Sequence, residues 1–329
     1  MEFDQSVRQQ WRGIRARLAE WWTRAGLSAG RAAEAGRGAV AHQRLSIATR
    51  AALGVVLALF VLYPALAWWH STIDDDLRFS GTPARPGMSH TVSNTVALIT
   101  REVHKHGWTA NAPWFSPNAL LDDMPNYQTG MIEALASVVH GLNDRKPDDV
   151  LQAASDLLHY RPDAWLWNSS ASQYRLGAKD LREYNARLAN GQAVFDRSAA
   201  ALGVLLERIA DDLDHTSVAL DTHVETRSGW PFDTTSDNVF YAAKGKLYAY
   251  DVVLKGMQAD YAGVIAARGL SRQWSAAIRD LDAAASLRPW MVLNGAPDST
   301  IFACTLCGEG LYVVRARDEL RALRDALQP

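Results

Sequence analysis

Residues 195–220 read FDRSAAALGVLLERIADDLDHTSVAL, and residues 247–264 read LYAYDVVLKGMQADYAGV. In both stretches apolar residues recur in steps of three and four, with one step of seven in the first. This spacing places them on one face of an α-helix, in the heptad-like pattern of helix bundles and coiled coils. We therefore expect two long helices, which pair with each other or with a second copy of the chain.

The same helical period extends over most of residues 90–329. Pro147, followed by two aspartates, is a typical helix start, and Gly107 and Gly191 are typical helix ends. We expect Ser271 to cap one helix and a last helix to cover residues 299–328. Because no stretch alternates convincingly with period two, the sequence predicts an all-α domain over residues 90–329.

A second decisive stretch is Ala51–Trp69, AALGVVLALFVLYPALAWW, which contains no charged residue. Nineteen residues in a helix span roughly 28 Å, about one hydrocarbon core. Pro64 is expected to kink the end of this helix, and Trp68 and Trp69 lie where an aromatic belt belongs. We predict one N-terminal transmembrane helix over residues 50–69.

Charge sets the expected orientation of this helix. Residues 1–50 contain nine arginines, no lysine and four acidic residues, whereas acidic residues outnumber basic ones in the rest of the chain. Basic segments stay in the cytoplasm, so we expect the N-terminus inside and residues 70–329 exported. A cleaved signal peptide, with a site near Ala65–Ala67, is the alternative. It is disfavoured because the segment before the apolar run is far longer than a normal n-region.

The segments on either side of the apolar run complete the domain prediction. Residues 1–49 form a basic cytoplasmic segment, which is either an amphipathic helix lying on anionic lipid or an exposed tail. We expect it to contact the lipid bilayer and not nucleic acid. Residues 70–89, rich in glycine and proline, are expected to be a stalk that carries the domain.

Tryptophan is concentrated in connections that also carry proline, asparagine, aspartate or glycine, as in 106–118, 161–170, 229–238 and 288–299. Flat apolar rings beside short polar side chains suit a cleft that stacks planar groups and hydrogen-bonds their edges. The alternative is that these corners only cover the ends of the core. The candidate ligand- or partner-binding residues are Trp114, Asp123, Asn126, Trp165, Trp230, Asp233, Asp237, Tyr241, Trp290 and Asn294.

Three of these residues are also candidates for catalysis. Asp123, Asp233 and Asp237, if they share one cleft, provide the paired carboxylates that glycoside hydrolysis needs. Adjacent loop aspartates more often cap helices, however, and Asp237 has the sequence context of an N-cap. No catalytic residue is therefore assigned.

Cys304 and Cys307 are the only cysteines and form a lone C-x-x-C pair. Structural zinc needs four ligands, and a thioredoxin-like site needs a βαβ context, so neither is expected. The pair is either two small apolar residues on a buried face or a disulfide, which inside a helix would be strained. His104 and His106 lack further ligands in sequence, and we expect no metal and no cofactor.

The segments LLDDMPNYQTG (120–130), WPFDTTSDNVFYAAKG (230–245) and RPWMVLNG (288–295) occur in this order behind the apolar run. With them the chain resembles a bacterial membrane-anchored family with a domain of unknown function, family 2333. The resemblance implies an inner-membrane protein with a periplasmic helical domain. It implies no enzymatic activity and no catalytic residues. We expect a protein that binds an envelope partner, scaffolds an envelope complex or forms a homo-oligomer. The alternative is an enzyme or receptor for a periplasmic glycan or lipid-linked ligand.

Overall fold

A computed structural model describes residues 52–58, 62, 73–81, 85–112, 123–227, 235–289, 292–294 and 304–328. The chain divides into two compact units, Met1–Leu59 and Phe60–Pro329. In the first unit the described residues 52–58 are helical, and their large apolar side chains are exposed.

None of the helices in the described ranges combines the length and the apolar character needed to cross a bilayer. Most of Ala51–Trp69, including Pro64 and both tryptophans of the expected belt, lies outside those ranges. The N-terminal segment 1–49 lies entirely outside them as well.

The second unit is all-helical, as expected. Its described residues form nine α-helices and one π-helix, and their only β pairing is a single bridge between Asn294 and Cys304. The helices are α1 (His90–Thr100), which continues as a π-helix (Arg101–Gly107), α2 (Asp123–Arg145), α3 (Asp149–Leu158), α4 (Ser170–Ala189), α5 (Ala199–Arg227), α6 (Ser236–Asp260), α7 (Ala262–Ala267), α8 (Ser271–Ala285) and α9 (Thr305–Leu327).

Helix α6 lies at the centre of this unit. It packs along α2 and also contacts α1, α5, α8 and α9, while α5 packs chiefly along α9. Both predicted apolar faces, which we call seams, are therefore present. The seam of α5 packs chiefly on α9 and that of α6 chiefly on α2, rather than on each other. Seam residues such as Leu206 and Leu254 are fully buried within one chain, because α9 and α2 present apolar faces of their own.

Two glycines allow α2 and α6 to approach closely. A Cβ atom on Gly130 would lie 2.0 Å from the carbonyl oxygen of Ala242, and one on Gly245 would lie 2.0 Å from that of Tyr127. No side chain fits at such distances. The backbones of the two helices are thus in direct contact at this crossing.

The segment expected to be a stalk differs from that expectation where it is described. Ile73, Leu77 and Phe79 pack against the core, and Asp75 is buried. Asp75 lies at every second position with these three apolar residues, so in an extended segment it faces the same way, and it pairs there with the buried Lys244 and with Arg288. Residues 73–81 are consequently part of the helical unit.

The starts of α3, α6 and α8 agree with the sequence to within two residues, whereas that of the last helix does not. Asp148 caps α3 with hydrogen bonds from the amides of Val150 and Leu151. Ser271 is the first residue of α8 rather than its cap, and Asp237 lies in the first turn of α6 rather than before it. The last helix begins at Thr305, six residues later than expected.

Candidate functional site

Polar side chains from the starts of three helices meet around Tyr241. Asp123, the first residue of α2, shares a side-chain hydrogen bond with Tyr241, which lies two turns into α6. Burial raises the pKa of Tyr241 to about 12, and the charges of Asp123 and Asp237 add to the increase. The phenol therefore stays protonated at neutral pH and acts as a hydrogen-bond donor.

A second contact joins the same two helix starts. Nδ2 of Asn126 donates to Oδ1 of Asn238 over 2.9 Å, and the backbone amide of Asn238 donates to Oδ1 of Asp237 over 3.0 Å. We name Asp123, Asn126, Asp237, Asn238, Tyr241 and Glu309 together the helix-start cluster. Its members come from α2, α6 and α9, which are distant in sequence.

Glu309 is the most unusual member of the helix-start cluster. Its side chain is fully buried in α9, and neither carboxyl oxygen has a hydrogen-bond partner among the described residues. Burial raises its pKa well above the usual value, although the charge of Lys244 acts in the opposite direction. Burial thus favours the protonated carboxyl, because ionising it would place a charge inside the protein on oxygens that accept no hydrogen bond.

Lys244, one turn after Tyr241, links the cluster to the segment before α1. Its Nζ lies 2.8 Å from Oδ2 of Asp75, and it also donates to the carbonyl oxygen of Leu287. Arg288 donates through Nε and Nη2 to the two oxygens of the same carboxylate. Burial favours the neutral form of Asp75, but hydrogen bonds from Arg288 and Lys244 outweigh it and lower the Asp75 pKa.

Asn294 and the cysteine pair lie at the start of α9. Asn294 is fully buried, and among the described residues neither polar atom of its side chain has a hydrogen-bond partner. Cys304, its bridge partner, occupies the N-cap position of α9 and forms a disulfide with Cys307. Of the two interpretations of the pair, the structure supports the disulfide. The disulfide does not lie inside a helix, because Cys304 precedes the first turn of α9 and only Cys307 lies within it.

The structure thus brings together Asp123, Asn126, Asp237 and Tyr241 from the predicted set. Trp114, Trp230, Asp233 and Trp290 lie outside the described residues. Asn294 pairs with Cys304 just before α9, and Trp165 lies in the loop between α3 and α4.

Sequence reasoning missed Glu309 and Lys244. A signal for Glu309 was present, because it follows Leu306 by three residues and precedes Val313 by four. It therefore falls on the buried face of α9. Lys244 had no comparable signal, since its partner Asp75 is remote in sequence and the ion pair exists only in the folded chain.

Trp165 belongs to a different surface, the loop 161–169 between α3 and α4. Trp165 and Leu166 are each 55% exposed and Trp167 is 92% exposed, with a positive φ of 29° at Trp167. We name residues 165–167 the WLW tip. Trp108, by contrast, is buried and packs edge-on against Tyr174, with 4.8 Å between the ring centroids.

Hydrogen bonds hold the base of the WLW tip. Nδ2 of Asn111 and the backbone amide of Ser170 both donate to the carbonyl oxygen of Ala164, each over 2.9 Å. Nε1 of Trp108 donates to the carbonyl oxygen of Pro162 over 2.8 Å. The exposed rings are therefore displayed from a fixed backbone.

Chemically, the helix-start cluster places the hydroxyl of Tyr241 beside the carboxylates of Asp123 and Asp237, all three partly exposed. These three side chains can hydrogen-bond a polar ligand, whereas Glu309 is fully buried behind them. Within the described ranges no three acidic, histidine or cysteine side chains are grouped so that they could hold a metal ion.

Fold and site together define an all-helical protein with a polar cluster at three helix starts and a separate exposed aromatic tip. The chain belongs to a bacterial family described as uncharacterized protein conserved in bacteria (DUF2333), whose model matches residues 47–229 and 205–329. No curated protein and no solved structure matches the chain.

Proposed function

We propose that this protein is anchored in the bacterial inner membrane by residues 50–69 and that its periplasmic helical domain binds a protein partner of the cell envelope. The WLW tip is the contact surface. This proposal rests chiefly on one observation, the exposure of Trp165, Leu166 and Trp167 on a hydrogen-bonded loop.

Exposed apolar side chains in a row are uncommon on a fixed backbone, because each keeps apolar surface in water. Tryptophan is enriched among the residues that contribute most to protein interfaces. A loop already held by Asn111, Trp108 and Ser170 also loses little conformational entropy when it binds. The tip therefore has the composition and the rigidity of an interface anchor.

The proposed topology has support of two kinds. The charge asymmetry around the apolar run favours a cytoplasmic N-terminus. The disulfide between Cys304 and Cys307 fits an oxidising compartment, since cytosolic thiols are kept reduced.

The proposal is tested by site-specific photo-crosslinking of the full chain in bacterial membranes. A photoreactive residue at position 167 should crosslink one protein in stoichiometric amount, while the same residue at Val218, which is 58% exposed on α5, should not. Trp167→Ala should lower recovery of that protein by about tenfold or more, the effect of losing an interface hot spot, and Val218→Ala should leave recovery unchanged.

Two results would contradict partner binding through the WLW tip. One is equal recovery of the same protein with the wild type and with Trp167→Ala. The other is crosslinking at position 167 to lipid alone, with no protein product. Either result leaves the proposed membrane topology to be judged separately.

A second candidate function is an enzyme or receptor for a periplasmic glycan or lipid-linked ligand. It is favoured by the position of Asp123 and Asp237 around Tyr241, in which two of the three predicted carboxylates share one site. Cleavage or binding of soluble peptidoglycan fragments by the purified full chain, lost in Asp237→Asn, would support it. Fragments that remain intact and unbound would exclude this class of ligand.

A further inference from the structure

The helical unit has a groove with a volume of about 920 Å³. None of the residues that line it belongs to the helix-start cluster or to the WLW tip. One wall is α1 and its π-helical continuation, the second is α4, and Phe79, Arg85 and Met88 from the segment before α1 form the third. The volume is within the usual range for small-molecule sites. All lining residues belong to the second unit.

The groove combines an apolar surface with cations. Phe79, Met88, Val96, Ala97 and Ala186 provide the apolar part. The charged or ionisable residues that line the groove are all basic: Arg85, Arg101, His104, Lys105 and Arg182.

Two of these cations have no carboxylate partner. None of the ion pairs formed by the described residues involves Arg85 or Arg182, and Nε of Arg182 donates only to the carbonyl oxygen of Ala178 in its own helix. Lys105 lies 3.4 Å from Asp74 but is itself exposed. The groove therefore keeps positive charge that the protein does not neutralise.

Arg101 lines the same groove but is already paired. Its Nε donates to Glu102 over 2.8 Å and its Nη1 lies 3.6 Å from Oδ1 of Asp74, while its guanidinium lies over the ring of Phe79, 4.5 Å from the centroid. Nη2 has no hydrogen-bond partner among the described residues, but it is buried and therefore not open to the groove. The positive charge open to a ligand therefore comes from the exposed cations of the groove rather than from Arg101.

We propose that this groove binds an amphiphile with an acyl chain and a phosphate or carboxylate headgroup. The acyl chain lies along Phe79, Val96 and Ala97, and the anionic headgroup pairs with Arg85 and Arg182. The site is independent of the WLW tip and of the partner proposed for it, and it does not require residues 50–69 to span a bilayer.

The test uses the full chain in phosphatidylcholine nanodiscs, or in detergent-free buffer if the chain proves soluble without lipid. Two probes carry a diazirine in the acyl chain, one a phosphatidylglycerol and the other a free fatty acid. After irradiation, mass spectrometry locates the labelled peptides. We expect label on α1 and α4, at residues that line the groove.

Arg182→Glu should reduce labelling by about fivefold or more, the effect of losing one basic contact to an anionic headgroup. Arg175→Glu is a matched control, because Arg175 is also exposed on α4 and its Nε also donates to the carbonyl four residues earlier. Ala97→Trp should fill the groove and abolish labelling. Because Arg182 is exposed, its variant keeps the test valid even if Ala97→Trp fails to fold.

The two probes distinguish the sources of the headgroup. Labelling by phosphatidylglycerol alone assigns a phospholipid, labelling by the fatty acid alone assigns a free carboxylate, and labelling by both assigns any anionic amphiphile. The proposal is overturned if a zwitterionic phosphatidylcholine probe labels equally well. It is also overturned if Arg182→Glu and Arg175→Glu label alike, or if the label lies outside α1, α4 and residues 79–88.

Discussion

The carboxyl group of Glu309 is fully buried, and burial strongly disfavours its ionised form. In the unfolded chain it titrates near its ordinary pKa, whereas burial raises its pKa in the folded protein well above that value. Between these two values only the folded state keeps the proton. The contribution of Glu309 to stability is therefore complete at acid pH and is lost as the pH rises through the folded pKa.

We predict that Glu309→Gln removes this pH dependence. Relative to the variant, the wild type should lose about 1.4 kcal/mol of unfolding free energy per pH unit over the range in which only the folded state is protonated. Denaturant unfolding of both proteins at a series of pH values measures the difference. Glu225→Gln, an exposed glutamate near the end of α5, is the control and should follow the wild type. Parallel wild-type and Glu309→Gln profiles would show that Glu309 is ionised in the fold.

At the level of helices, the crossing of α2 and α6 depends on the absence of a side chain at two positions. A methyl group at Gly245 would overlap the carbonyl oxygen of Tyr127, which is backbone and cannot rotate away. The two helices would have to separate, and the buried residues along both would lose contacts.

We therefore predict that Gly245→Ala destabilises the protein by about 3 kcal/mol or more, at the upper end of overpacking effects. Gly203 in α5 is the matched control, because a Cβ atom there has no neighbour within 4 Å. Gly203→Ala should stabilise the protein by about 0.5–1 kcal/mol, since alanine favours a helix over glycine. Thermal unfolding compares the two, and a Gly245→Ala protein as stable as the wild type would contradict the close crossing.

At the level of the whole molecule, the disulfide reports where the helical unit resides. The chain has two cysteines in all, so tagging free thiols with a large maleimide after acid quenching of cells gives a simple gel shift. If the unit is periplasmic, we expect no tag before reduction and two after it. A chain lacking residues 51–69 should stay in the cytoplasm and take both tags without reduction. Two tags on the unreduced full chain would contradict export of this unit.

The all-α class and most helix positions were predictable, because they depend on residues within one or two turns of each other. The period of Leu202–Leu213 is one example. The start of α3, predicted at Pro147, is another, because the structure places it within two residues, at Asp149. The predicted packing partners of the two long helices were wrong, because α5 packs chiefly on α9 and α6 chiefly on α2. α5 and α6 both carry an apolar stripe, and such a stripe does not by itself specify which other stripe covers it.

Four of the six members of the helix-start cluster were likewise predictable. Asp123, Asn126, Asp237 and Tyr241 stood out as polar residues near aromatic loops, and the crossing of α2 and α6 brings them together. Glu309, Lys244 and Asp75 did not stand out. Their burial and partners arise only when elements more than 60 residues apart in sequence come together.

The sequence by itself determined the helical class, several helix starts, the apolar run and the charge asymmetry, because each is a property of neighbouring residues. Only the tertiary structure decided the pairing of α2 with α6 and of α5 with α9, the raised pKa of Glu309, the basic groove and the exposure of the WLW tip. These depend on the free energy of burying groups that are distant along the chain. That energy is defined only once the helices are packed against one another.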